Sequence, residues 1–103
     1  MKIEIPFNKW SRERLKEGKC ATSRNKKYGV EGDTFTVDGI EYIITDIARV
    51  SLQTVLDLGV QEEGADSKEE FIKVWKEIHP RKGFVPEQKV WFHRFKLGIQ
   101  DEI

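Results

Sequence analysis

The stretch TFTVDGIEYIITDIARV, residues 34–50, constrains the fold more than any other part of the chain. Thr34–Val37 and Ile40–Val50 are rich in β-branched and aromatic residues, which suit a pleated, half-buried surface. Asp38-Gly39 lies between them, a two-residue link that tolerates the positive φ of a tight hairpin. The second arm is long, and its alternation slips near Ile43-Ile44. A bulge, or a strand bending around a barrel, is expected there.

The remaining segments add helices and further strands. SKEEFIKVWKEIHP is the clearest helix: Ser67 and Glu70 have capping-box spacing, Phe71, Val74, Trp75 and Ile78 form one apolar face, and Pro80 follows. SLQTVLDLG predicts a short helix capped by Ser51 and stopped by Gly59. FNKWSRERLKEG predicts another, capped by Asn8 or Ser11, ended by Gly18 and anchored by Phe7, Trp10 and Leu15. Strands are predicted at Ile3–Ile5, stopped by Pro6, at Cys20–Arg24 and at Lys89–Leu97. The last sets Trp91, His93, Phe95 and Leu97 against Val90, Phe92, Arg94 and Lys96. The order β-α-β-ββ-α-α-β describes one α+β domain over residues 1–103, with a curled, mostly antiparallel sheet and about three flanking helices.

Several function classes drop out. No apolar run approaches the ~20 residues of a membrane span, and Lys2 and Glu4 stand where a signal peptide would carry its apolar core. A cytoplasmic protein with no membrane partner is the expectation. Cys20 is the single cysteine, so no internal disulfide forms, and His79 and His93 lie too far apart to read as a metal pair. A Gly-rich phosphate loop, a GxSxG elbow and a zinc pattern are all missing, so neither metal nor cofactor is expected.

The formal net charge is zero, yet it is unevenly spread. Residues 1–30 carry 9 Lys/Arg against 3 Asp/Glu, residues 31–70 carry 2 against 11, and residues 71–103 carry 7 against 4. If the two ends meet, the molecule has a basic face able to attract phosphates. Salt bridging between the segments accounts for the same pattern.

GKCATSR, residues 18–24, is the candidate site. Strict alternation puts Cys20, Thr22 and Arg24 on one side, with Lys19, Ala21 and Ser23 on the other. A bend at Gly18 could instead aim the Lys19 ammonium at Thr22. An amine, a hydroxyl and a guanidinium would then converge, a set suited to activating a hydroxyl and holding a phosphate or carbonyl. A polar edge strand explains the same residues. Downstream, Tyr28 sits among Arg24, Lys26 and Lys27, the composition of a nucleic-acid contact and also of a solvated loop. Trp91 is the tryptophan most open to stacking on a base, while Trp10 and Trp75 read as core. Cys20 reads as a small buried residue, and His93 as structural.

The pattern W-x4-L-x2-G-K-x2-T-x-R, from Trp10 to Arg24, resembles the signature of ASCH domains, small relatives of the PUA fold. EGDTFTV, the helix ending in EIHP and the closing strand with FKL extend the resemblance over most of the chain. It implies a small curled β-barrel with a cleft lined by the motif, and RNA or a small nucleoside as ligand. One branch of such domains consists of amidohydrolases acting on acetylated cytidine. There the motif lysine and threonine are catalytic together with a glutamate. Carried over, these are Lys19 and Thr22. The glutamate position of that branch falls on Gly64, so Glu63 or Glu62 fits with a slip of one or two residues. Arg24 matches the motif arginine and would anchor phosphate or base. RNA cleavage, known among some ASCH-like proteins, and a protein-docking role for the acidic middle are further alternatives.

Overall fold

The hairpin organises the sheet. Asp38 and Gly39 both take positive φ, 50° and 80°, as a tight two-residue turn requires. They join β2, Thr34–Val37, to β3, Ile40–Ser51, with Val37 opposite Ile40. In the computed structural model, which describes residues 1–98, β1 is Ala21–Arg24 and β4 is Lys89–Leu97. The strand order is β1-β4-β3-β2 and every neighbour is antiparallel. The sheet curls into a half-barrel flanked by three helices, a small α+β fold of PUA type. The irregularity expected near Ile43-Ile44 lies one residue on: the β3–β4 register shifts between Ile44 and Asp46. The extra residue, Thr45, bends β3 and lets a 12-residue strand serve a curved sheet.

Each helix begins at a side-chain cap. Asn8, not Ser11, caps α1, Lys9–Lys16, and accepts from the Ser11 backbone N–H at 2.8 Å. Ser51 caps α2, Leu52–Leu58, and Ser67 caps α3, Lys68–Ile78. Glu70 reaches back to the backbone N–H of Asp66 at 2.8 Å, one residue beyond the usual capping-box partner. The predicted strand at Ile3–Ile5 does not form. A single parallel bridge joins Lys2 to Thr34, and Pro6, which lacks a donor, stops the chain from extending it.

Two apolar clusters lie on the faces of the curled sheet. Phe35, Tyr42, Ile44 and Phe95 pack with Phe7 and Leu15, while Val90, Phe92 and Ala21 pack with Leu52, Val55, Phe71 and Trp75. Strand β4 alternates between them, Phe92 to one and Phe95 to the other. Among the described residues, no helix is long and apolar enough to cross a membrane.

Candidate functional site

Gly18, at φ 112°, ends the first helical segment and swings the chain into β1. The backbone N–H groups of Cys20 and Ala21 both donate to the Glu62 carbonyl, at 2.8 and 2.9 Å. These two bonds pull the turn after α2 against the start of β1 and deliver the next residue, Glu63, to Lys19. The Lys19 Nζ donates to the Glu63 carbonyl at 2.5 Å and to its Oε1 at 3.2 Å. The Ser23 hydroxyl donates to Glu63 Oε2 at 2.5 Å. All three are buried: Lys19 is 4% exposed, Glu63 5% and Ser23 9%.

The Lys19 ammonium, which the bend at Gly18 could have aimed at Thr22, makes its hydrogen bonds to Glu63. Alternation prevails, with Lys19 and Ser23 meeting one carboxylate while Thr22 and Arg24 pair on the other side. The Arg24 Nε donates to Thr22 Oγ1 at 3.0 Å. Burial pushes the Lys19 amine below its ordinary range, opposed by the Glu63 carboxylate. Burial also lowers Arg24, against the opposing effects of Tyr28 and Glu63.

Gly64 explains why the carboxylate comes from position 63. Its φ is +94°, and a Cβ there would lie 2.9 Å from the Arg14 Cβ and 3.1 Å from the Lys19 Cβ. A side chain at 64 would clash with Arg14 and crowd Lys19, on a backbone that already favours glycine.

These groups line a cavity of about 550 Å³ between α1, β1 and α3. Thr22 and Ser23, successive residues of the edge strand β1, both border it. The walls are aromatic: Phe7, Trp10, Tyr28, Phe71, Trp75 and His79. Arg24 lies over the Phe7 ring with 4.8 Å from Cζ to centroid, and over Tyr28 at 5.7 Å. The Lys26 Nζ is 5.3 Å from the Tyr28 centroid. Such cation–π contacts hold the charges over ring faces while leaving their donors for an anion. His93, fully buried, fixes the entrance: its Nε2 accepts from the Tyr28 N–H at 3.0 Å, and its Nδ1 lies 3.2 Å from the Thr22 carbonyl.

The cavity gathers Lys19, Thr22, Arg24, Lys26, Tyr28 and Glu63. It does not gather Glu62, Lys27 or Trp91. The Glu62 side chain turns outward to Arg94, whose Nε is 2.7 Å from Oε2. Trp91 is flanked outside the cavity by Lys27 at 5.5 Å and Arg49 at 5.0 Å. The lining residues that sequence reasoning missed include Ser23, set apart by alternation; Phe7, Trp10 and Trp75, read as core; and His79, which sits 4.2 Å from the Trp75 ring between centroids. The N-cap at Asn8 was the available signal for Trp10, since it fixes where α1 begins. Among the described residues, His, Cys, Asp and Glu form no group of three able to hold a metal ion.

No family model matches the chain, and no curated protein matches it. A solved structure does: the ASCH domain from Lactobacillus crispatus JV V101 is similar over 93% of this chain and 77% of its own. The TM-score is 0.58 at 13% sequence identity. A likeness at that identity is one of fold, and the fold is the one that the motif from Trp10 to Arg24 implied.

Proposed function

We propose that this chain, built on an ASCH-type fold, binds a modified nucleoside, free or as an unstacked base of RNA, in the cavity between α1, β1 and α3. The observation that carries this reading is the pairing of aromatic walls with buried polar groups and cations in one cavity. A base has a flat apolar face and a polar edge. Tyr28, Trp10 and Phe7 offer apolar aromatic surface to the first, and Thr22, Ser23 and the Lys19–Glu63 pair offer donors and acceptors to the second. Arg24 and Lys26 carry the positive charge that a sugar phosphate would meet. The test is to titrate single-stranded RNA and free nucleosides at several salt concentrations. If Arg24 and Lys26 each meet a phosphate, log K against log salt falls with a slope of about −1.4 for RNA, and Lys26→Ala removes about half of it. RNA affinity independent of salt contradicts the RNA arm, and no affinity for either ligand class contradicts the reading.

A second reading, deacylation of an acetylated cytidine, is favoured by the Lys19–Glu63 contact. Hydrolysis of an amide needs a hydroxyl nucleophile, a group to take its proton and a group to protonate the leaving amine. The buried amine, the carboxylate 3.2 Å from it and the hydroxyls of β1 supply that set. Release of cytidine from acetylcytidine by wild type, lost in Lys19→Ala, is the expected result. Equal rates in the two proteins contradict a role for Lys19.

A further inference from the structure

We propose that Ser23, rather than the motif threonine Thr22, is the nucleophilic hydroxyl of the cavity, with Glu63 as its base and an acyl carbonyl carbon as its target. For a natural substrate this rests on the deacylation reading above. Two adjacent hydroxyls border the same space, and their partners differ. Thr22 Oγ1 accepts from the Arg24 Nε at 3.0 Å, so its oxygen gives electron density to a cation. That contact lowers its nucleophilicity, and no carboxylate is bonded to its hydroxyl among the described residues. Ser23 Oγ donates to Glu63 Oε2 at 2.5 Å, so its proton already points at a base. Lys19 holds that base from the other side, through Oε1 at 3.2 Å and the main-chain carbonyl at 2.5 Å. A hydroxyl, a base and a third group that orients the base are the arrangement of an activated nucleophile.

The step balances without any further reactant but water. The Ser23 Oγ forms a bond to the acyl carbon as its proton passes to Glu63. The C–N bond then breaks, and that proton goes to the departing amine. Water attacks the acyl ester on Ser23 and gives a proton to Glu63. The C–O bond breaks, Ser23 regains the proton, and the acid leaves.

The test uses p-nitrophenyl acetate, an activated acyl donor that needs no nucleoside recognition. Wild type is expected to release a rapid burst of p-nitrophenol close to one per chain, with peptide mass mapping placing the acetyl group on Ser23. Ser23→Ala is expected to cut the burst at least tenfold. Ser23→Cys, close in size, keeps the burst and carries the acetyl group as a thioester, which a purely structural serine would not do. Acetyl on Thr22 or Lys19 in place of Ser23, a full burst from Ser23→Ala, or no burst in wild type overturns the proposal. Absent acetylcytidine turnover in a protein that still acetylates Ser23 would contradict the deacylation reading alone.

Discussion

Lys19 and Glu63 are each buried, so each depends on the other. Removing one partner of such a pair leaves an uncompensated charge, whereas replacing both can be neutral or better. Lys19→Met or Glu63→Gln alone is expected to cost about 3–5 kcal/mol, and Lys19→Met with Glu63→Leu to recover most of it. Urea unfolding of the three variants checks this; single variants as stable as wild type would contradict it. His93 gives a pH signature. Burial pushes it below 6.5, and the Tyr28 N–H occupies Nε2, so the proton sits on Nδ1. A group lowered in the folded state contributes stability that is present above its unfolded value near 6.5 and is lost as pH falls through the folded value. Denaturation between pH 7 and pH 4 should show that loss. Nitrogen NMR should find the Nδ1–H tautomer, and a titration at or above 6.5 would contradict the account. The residues of GKCATSR announced chemistry, but not its pairing. Alternation correctly grouped Lys19 with Ser23, yet the carboxylate that makes this grouping matter lies 40 residues from Ser23 in sequence.

The elements were legible where local chemistry fixes them. Asp38-Gly39 dictates a hairpin, and Ser51 and Ser67 dictate helix starts, because turn and cap preferences act over a few residues. The segment Ile3–Ile5 shows the limit. Its alternation is real, but a strand exists only with a paired neighbour, and the single bridge here is made by the preceding residue, Lys2, to Thr34. The turn between α2 and α3 was equally opaque, since Glu63 is placed by the bonds from Cys20 and Ala21 to the Glu62 carbonyl. Gly64 makes that turn possible. Gly64→Ala combines a left-handed backbone with a Cβ 2.9 Å from Arg14, and is expected to destabilise by about 1–3 kcal/mol. Ser67→Ala, which only removes a cap, is expected to cost about 1 kcal/mol. A thermal melt of each checks the order, and a Gly64→Ala protein no less stable than Ser67→Ala would contradict it.

At the scale of the molecule, the uneven charge is partly paired across the fold and partly left unpaired. Antiparallel pairing of β1 with β4 brings the two basic ends together. Part of their charge is spent on the acidic middle: Arg14 meets Asp66 and Glu70, and Arg94 meets Asp46 and Glu62. Arg24, Lys26 and Lys27 make no ion pair among the described residues. The first two stand at the cavity, and Lys27 lies on the Trp91 side. Two ligand faces are thus conceivable on charge and aromatics alone, and only the first has depth and buried polar groups. The most direct test is an NMR titration of the nitrogen-labelled protein with acetylcytidine. The account predicts saturable shifts at the amides of Phe7, Thr22, Ser23, Arg24, Tyr28 and Glu63, with Trp91 and Arg49 unmoved. Shifts confined to Trp91, Lys27 and Arg49, or none at saturating nucleoside, would contradict it.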